Sequence, residues 1–87
     1  LHVVPLQLLT APGTVLDSRA QARRAALRLQ QFRHATLDFS DIAEIGHGFA
    51  DELFRVFAND QPGLTLEPVN LSPQVRALID SVREHAA

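Results

Sequence analysis

The sequence predicts an α/β domain whose strands and helices alternate in the order β-α-β-α-β-α. Short β-branched and apolar runs alternate with longer amphipathic runs, and glycine, proline or asparagine lies between them. The length of 87 residues allows one hydrophobic core and no second. We therefore expect a single domain over residues 1–87, with helices packed on a small, mainly parallel sheet.

The first strand is predicted within residues 2–9, where Pro5 either limits the run to an edge position or divides it. A turn is predicted over residues 10–14, because Pro12 and Gly13 are adjacent there. A narrow sheet of three or four strands has edges that need covering, which suggests a homodimer or a partner domain.

The first helix is predicted to begin after Ser18, because Ser18 and Gln21 have the spacing of a capping box. An apolar stripe follows at intervals of three and four residues: Ala22, Ala25, Ala26, Leu29 and Phe32. Arginines cover much of the other side and form a basic helix surface: Arg19, Arg23, Arg24 and Arg28. This surface is interpreted either as a solvated face or as a guanidinium cluster for phosphate or an acidic partner.

Residues 35–39 are predicted as a central strand and residues 40–47 as a polar turn. The second helix is expected over about residues 48–58, with an apolar stripe of Phe49, Leu53, Val56 and Phe57. Asp51 and Glu52 lie in its first turn, where the helix dipole favours negative charge.

The third strand is predicted at residues 64–69, with Pro68 ending its pairing. The third helix is expected to begin at Pro73, with Ser72 as its N-cap, and to run to about His85. Its buried stripe is Val75, Leu78, Ile79 and Val82. The second and third strands should be parallel, because a helix connects them.

Composition excludes several classes of function. The chain has no cysteine, so disulfide and thiolate chemistry are excluded and structural zinc is not expected. No apolar run is long enough to cross a membrane, and the first residues do not resemble a signal peptide. We therefore expect a cytoplasmic protein.

The net charge of −2 argues against general nucleic-acid binding. Methionine is absent, so the chain is expected to be part of a longer protein.

The stretch from Leu37 to Phe57 resembles the bacterial and archaeal STAS-like domain family of unknown function, DUF4325. The most specific match is the block Phe49–Phe54, which reads FADELF. Residues Ser18–Arg24 are similar to the start of the first helix in that family, and Val69–Pro73 to the end of its last strand. The resemblance covers roughly residues 14–82 and implies a STAS-like sandwich.

The resemblance also implies a function in signalling and regulation. STAS domains include the antagonists of anti-sigma factors, and members of this family are reported beside or fused to histidine-kinase-like ATPase domains. A non-catalytic module that binds such a partner protein is therefore implied. In the antagonists, a serine or threonine at the start of the helix after the central strand is phosphorylated. Gly46, His47 and Gly48 occupy that place here and Ser40 is the nearest hydroxyl, so the same switch is not expected.

The partner-binding surface is predicted on the polar turn and the first turn of the following helix. Its residues are Ser40, Asp41, Glu44, His47, Asp51 and Glu52. These acids suit an arginine-bearing partner, because charge pairs across an interface set specificity and association rate.

The alternative is a nucleotide- or phosphate-binding accessory domain, in which the amides of Gly46, His47 and Gly48 bind an anion at the helix start. The same two glycines are also explained if they relieve crowding in a tight turn. We expect no catalytic residue, no metal and no cofactor, because His47 and the nearby acids lack convergent ligand spacing and no nucleophile motif is present.

Overall fold

The strands form one three-stranded parallel sheet in the order β1-β2-β3. The computed structural model describes residues 2–5 and 15–85. The strands are β1 (His2–Pro5), β2 (His34–Asp38) and β3 (Thr65–Val69). In the middle of the sheet Thr36 is the partner of both Val3 and Glu67. The predicted parallel pairing and the edge position of the strand with Pro5 are confirmed. Predictions for residues 6–14 lie outside the described residues.

Helix α1 (Arg19–Leu29) begins as its local sequence predicts. The hydroxyl of Ser18 accepts a hydrogen bond from the amide of Gln21, and the Gln21 side chain accepts one from the amide of Ser18, which completes a capping box. The alanines of the predicted stripe and Leu29 are buried. Phe32 follows the end of the helix and is partly buried against the core.

The second helix is continuous over residues 47–60 but contains an irregular centre. It consists of α2 (His47–Asp51), a π-helical segment (Glu52–Phe57) and α3 (Ala58–Asp60). A π-helical turn holds more residues than an α-helical turn, so it rotates the residues that follow it around the axis. As a result Phe54 is buried and Val56 is only half-buried, which differs from the predicted stripe.

Helix α4 (Pro73–Glu84) has Ser72 as its N-cap and Pro73 at its first position, as predicted. The Ser72 hydroxyl accepts from the amide of Val75 at 3.2 Å. Val75, Ile79 and Val82 are buried, and Leu78 is partly buried.

One hydrophobic cluster joins the helices to the sheet. Ala35, Leu37 and Phe39 enter it from β2 and the residue after it, because alternate residues of a strand point to the same face. The largest fully buried side chains include Phe39, Phe49 and Leu53. The stripe residues Phe49, Leu53 and Phe57 therefore pack the 47–60 helix onto the central strand, as the sequence predicted.

The prediction that Pro68 ends strand pairing is wrong. Thr65 N donates to Arg33 O at 2.8 Å, and Phe39 N donates to Val69 O at 3.0 Å. Alternate residues of a parallel strand bond to the same neighbour, so Thr65 and Val69 face β2 while Pro68 faces outward. The carbonyl oxygen of Leu66, which also faces outward, accepts from Arg83 Nη2 at 2.9 Å. This edge is therefore protected against pairing with a further strand.

Thr36 lies on the central strand with its hydroxyl buried. The residue is 7% exposed, and Oγ1 has no hydrogen-bond partner within the described part of the chain. Nε2 of His34 is buried and unpaired in the same way. None of the helices described is both long and apolar enough to span a bilayer.

Candidate functional site

The loop after β2 is joined to the loop after β3 by the carboxylate of Asp38. Oδ1 of Asp38 accepts from Asn70 Nδ2 at 3.0 Å, from Ser40 Oγ at 2.6 Å and from Ser40 N at 2.9 Å. The hydrogen bonds from Asn70 and then from Ser40 hold the pKa of Asp38 below its ordinary value, because they stabilise the charged form. Asp38 therefore ties the carboxyl ends of two strands together.

The same loop is held a second time by the start of α4. Ser72 Oγ donates to Ala43 O at 2.6 Å. The Gln74 amide donates to Ile45 O and accepts from Ile45 N, both at 3.1 Å. The carbonyl groups of Ala43 and Ile45 and the amide of Ile45 lie in a loop, where no strand or helix pairs them. The side chains of α4 provide their hydrogen-bond partners instead and so order the loop.

Each of the two loops contains a residue in the left-handed backbone region. Asp41 has a φ of 65° and Asn70 a φ of 57°. Aspartate and asparagine adopt this conformation more readily than most residues, because their short side chains bond to nearby backbone. Both residues lie just beyond the carboxyl ends of parallel strands, where open α/β sheets bind their ligands.

A hollow of about 380 Å³ lies between these loops. Its lining is Phe39, Asp41, Ile42, Ala43, Asn70, Leu71 and Ser72. Ile42 and Leu71 are partly buried against the core, whereas Asp41 is exposed. Glu44 follows this lining and is also exposed. We call the residues 39–44 and 70–72 the carboxyl-edge surface.

Close packing explains Gly46, which precedes the 47–60 helix, and Gly48, which lies in its first turn. A Cβ on Gly46 would lie 2.6 Å from Asp17 Cα, and one on Gly48 would lie 3.2 Å from Asp17 O. The amide of Gly46 already donates to Leu16 O at 2.8 Å. This helix start therefore needs glycine in order to approach the segment before α1, whether or not an anion binds.

The expectation that Asp51 and Glu52 form an exposed acidic rim is wrong. They are 7% and 9% exposed, because α1 packs over this part of the 47–60 helix. Arg19 Nη1 lies 2.7 Å from Asp51 Oδ2 and 3.4 Å from Glu52 Oε1. Arg23 Nε lies 3.6 Å from Glu52 Oε2. The predicted basic and acidic surfaces thus meet each other inside one molecule.

Asp51 is also bound by an arginine of its own helix. Arg55 Nε and Nη2 donate to its two carboxylate oxygens at 2.5 and 2.8 Å. Hydrogen bonds from Arg55, and then those from Arg19, hold the pKa of Asp51 well below its ordinary value despite burial. Two-point contact between a guanidinium and a carboxylate is strong and directional, so Arg55 fixes the Asp51 carboxylate on its own helix, and Arg19 of α1 contacts that carboxylate through one nitrogen.

The remaining predicted residues are dispersed. Ser40 is half-buried with its hydroxyl bound to Asp38, and His47 is exposed at the first position of α2. Arg24 and Arg28 are exposed on α1. Within residues 2–5 and 15–85, no three histidine, aspartate or glutamate side chains are close enough to hold a metal ion.

Sequence reasoning did not predict that the connection between β3 and α4 forms one side of the hollow. Asn70, Leu71 and Ser72 line the hollow, and Gln74 holds the loop that forms its other wall. Their order Asn-x-Ser-Pro was interpreted as the end of a strand and the start of a helix, and not as part of a site. The parallel arrangement of β2 and β3 was the available signal, because it places both following loops at the same edge.

The structure is an α/β domain with a parallel sheet and a surface built from strand-to-helix loops at its carboxyl edge. The chain belongs to the STAS-like domain family of unknown function (DUF4325), whose model matches residues 23–76. This match covers more than half of the chain and includes both loops of the carboxyl-edge surface. No curated protein and no solved structure matches the sequence.

Proposed function

We propose that this domain is a non-catalytic regulatory module that binds a partner protein through the carboxyl-edge surface. The observation that carries the proposal is a hollow with partly buried apolar walls and the exposed Asp41 in its lining, between two loops that are joined by hydrogen bonds. A preformed surface binds with little loss of conformational entropy.

The chemistry of the hollow indicates what the partner presents. Ile42 and Leu71 offer an apolar contact at the centre, and Asp41 and Glu44 lie where solvent reaches them. Interfaces combine an apolar centre with a polar rim, and acids at the rim attract arginine or lysine during encounter. The expected partner therefore inserts an apolar side chain and has a basic side chain beside it.

The polar groups at this edge support a binding role. Ser40 Oγ donates to Asp38, and the same carboxylate accepts from Asn70, so both side chains have a positional task. Asp38 is also a poor base for activating Ser40 as a nucleophile, because the hydrogen bonds from Asn70 and Ser40 hold the pKa of Asp38 below its ordinary value. The family resemblance makes a histidine-kinase-like ATPase domain the first candidate partner.

The test uses the histidine-kinase-like ATPase domain encoded nearest to this gene, with binding measured by biolayer interferometry. Ile42→Ser should weaken binding about tenfold because it removes an apolar contact at the hollow, and Glu44→Lys should do so because it repels the basic side chain of the partner. Glu84→Lys is the matched control, because Glu84 is exposed at the far end of α4, about 16 Å along the helix axis. Equal binding by wild type and both hollow variants would exclude this surface.

We do not propose the nucleotide- or phosphate-binding alternative. Packing against Asp17 accounts for Gly46 and Gly48, and the acids of the first helical turn are bound to arginines of the domain. No other feature of the described residues favours an anion at this helix start.

A further inference from the structure

The four arginines of α1 have two different environments. Arg19 and Arg23 contact the carboxylates of the 47–60 helix. Arg24 and Arg28 are exposed, and neither makes an ion pair within the described part of the chain. They lie one helical turn apart and thus form a short basic stripe on the outer side of α1.

An apolar side chain lies beside this stripe. Leu27 is 66% exposed, which makes it the most exposed large apolar side chain in the described part of the chain. It borders a groove of about 240 Å³ between α1 and the second half of the 47–60 helix. Ala26, Val56 and Phe57 contribute the groove's other apolar lining, and Arg23 and Glu52, which pair with each other, also line it. Arg24 and Arg28 lie on α1 beyond Leu27, outside the residues that line the groove. Helix-in-groove recognition uses an apolar channel between two helices with charges beside it.

We propose that this α1 groove binds an acidic amphipathic helix of a second partner protein. The apolar stripe of that helix would cover Leu27 and Val56, and its acidic residues would face Arg24 and Arg28. The groove has Asp60 on its opposite margin, so the bound helix should carry a basic or neutral residue there. Complementary charge on both margins would set the direction in which the helix lies.

A twofold contact of α1 with α1 of a second copy is disfavoured by charge. A twofold contact through α1 would place the Arg24–Arg28 stripe against the same stripe of the other copy, and like charges at close range oppose such a contact. The groove also lies at the opposite end of the helices from the carboxyl-edge surface, because Gln30, Asp60 and Gln61 line it. One domain would therefore hold two partners at once.

The experiment selects binders from a displayed library of helical peptides of about 18 residues, a length at which helices form in water. Leucines are fixed along one stripe, and the flanking positions are randomised among glutamate, alanine and lysine. Peptides enriched by the wild-type domain should be rich in glutamate on the flank that faces α1. One enriched peptide is then measured by fluorescence polarisation.

Leu27→Ser and Arg24→Glu should each weaken that peptide about tenfold. Arg76→Glu is the matched control, because Arg76 is an exposed helical arginine on α4, and its binding should stay within about twofold of wild type. Enrichment of lysine, no enrichment, or equal binding by Leu27→Ser would overturn the proposal. An equal loss in Arg76→Glu would show attraction by net charge alone, which also overturns it.

A short DNA duplex tests whether the α1 groove and its arginines bind nucleic acid instead of a helical peptide. Tighter binding of the duplex than of the peptide, with loss in Arg24→Glu, would identify a nucleic-acid surface and reject the helical partner. Leu27 and Arg24 do not line the hollow, so a negative result here leaves the proposed function standing.

Discussion

Two pairs of acidic residues in the same segment have opposite environments. Asp41 and Glu44 lie in the loop after β2 and are exposed. Asp51 and Glu52 follow on the next helix, are almost fully buried, and are bound by arginines. The difference shows that acidic character alone does not mark a binding surface, because packing of α1 decides which carboxylates remain available.

The largest expected effect is on the free energy of unfolding, which substitutions in the two pairs should change by different amounts. Asp51→Lys should lower the free energy of unfolding by about 3 kcal/mol, since it places a cation against Arg19 and Arg55 in a buried position. Glu44→Lys makes the same kind of change on an exposed loop and should alter it by less than about 0.5 kcal/mol. Urea unfolding measures both, and equal effects would show that burial does not distinguish the pairs.

A second variant tests the contact that brings α1 to the helix start. Gly46→Ala should destabilise the domain by about 2 kcal/mol, because the new Cβ would meet the backbone of Asp17 at 2.6 Å. Gly63→Ala is the control, since a Cβ there meets nothing within 4 Å. It should leave stability unchanged or raise it by about 0.5 kcal/mol. A neutral Gly46→Ala would contradict the close approach and reopen the anion-binding interpretation.

The pH dependence of stability sharpens the comparison further. Arg55 and Arg19 hold the folded pKa of Asp51 below its ordinary value of 3.8. The ionised carboxylate therefore contributes its full stability above about pH 4, and this contribution is lost as pH falls through the folded pKa. The difference in unfolding free energy between wild type and Asp51→Asn should shrink between about pH 6 and about pH 2.5. A difference that stays constant over this range would argue against the ion pairs.

The smallest expected effect concerns the opposite situation, a buried polar group without a partner. Thr36→Val should stabilise the domain by about 1 kcal/mol, because it removes an unpaired buried hydroxyl and keeps the shape of the side chain. Thr36→Ser keeps the hydroxyl and loses a methyl group, so it should destabilise by about 1 kcal/mol. A destabilising Thr36→Val would indicate that the hydroxyl is bound by a group outside the described residues.

Local signals predicted the fold well. Ser18 and Ser72 cap their helices as expected, because a cap depends on residues within one turn of it. The parallel pairing of β2 and β3 followed from the helix between them.

Features that depend on distant neighbours were not predictable in this way. The π-helical segment shifted burial from Val56 to Phe54, and no residue in the sequence signals it. The outward position of Pro68 depends on which residues of β3 direct their backbone N–H and C=O groups toward β2.

The position of the carboxyl-edge surface was predicted in part, for the same reason. The loop from Ser40 to Glu44 was placed at the carboxyl edge of the central strand, where it lies. The burial of Asp51 and Glu52 depends on a contact with Arg19, more than thirty residues earlier in the chain. The contribution of Asn70 and Ser72 depends on a contact across the sheet edge.

Carbodiimide labelling of carboxyl groups, read by mass spectrometry, tests the central claim most directly. The tryptic peptide from His34 to Arg55 contains all four acids, so fragmentation compares their labelling within one molecule. In native protein Asp41 and Glu44 should react readily, whereas Asp51 and Glu52 should react only after urea unfolds the domain. Native labelling of Asp51 and Glu52 at the same rate as Asp41 and Glu44 would contradict the account.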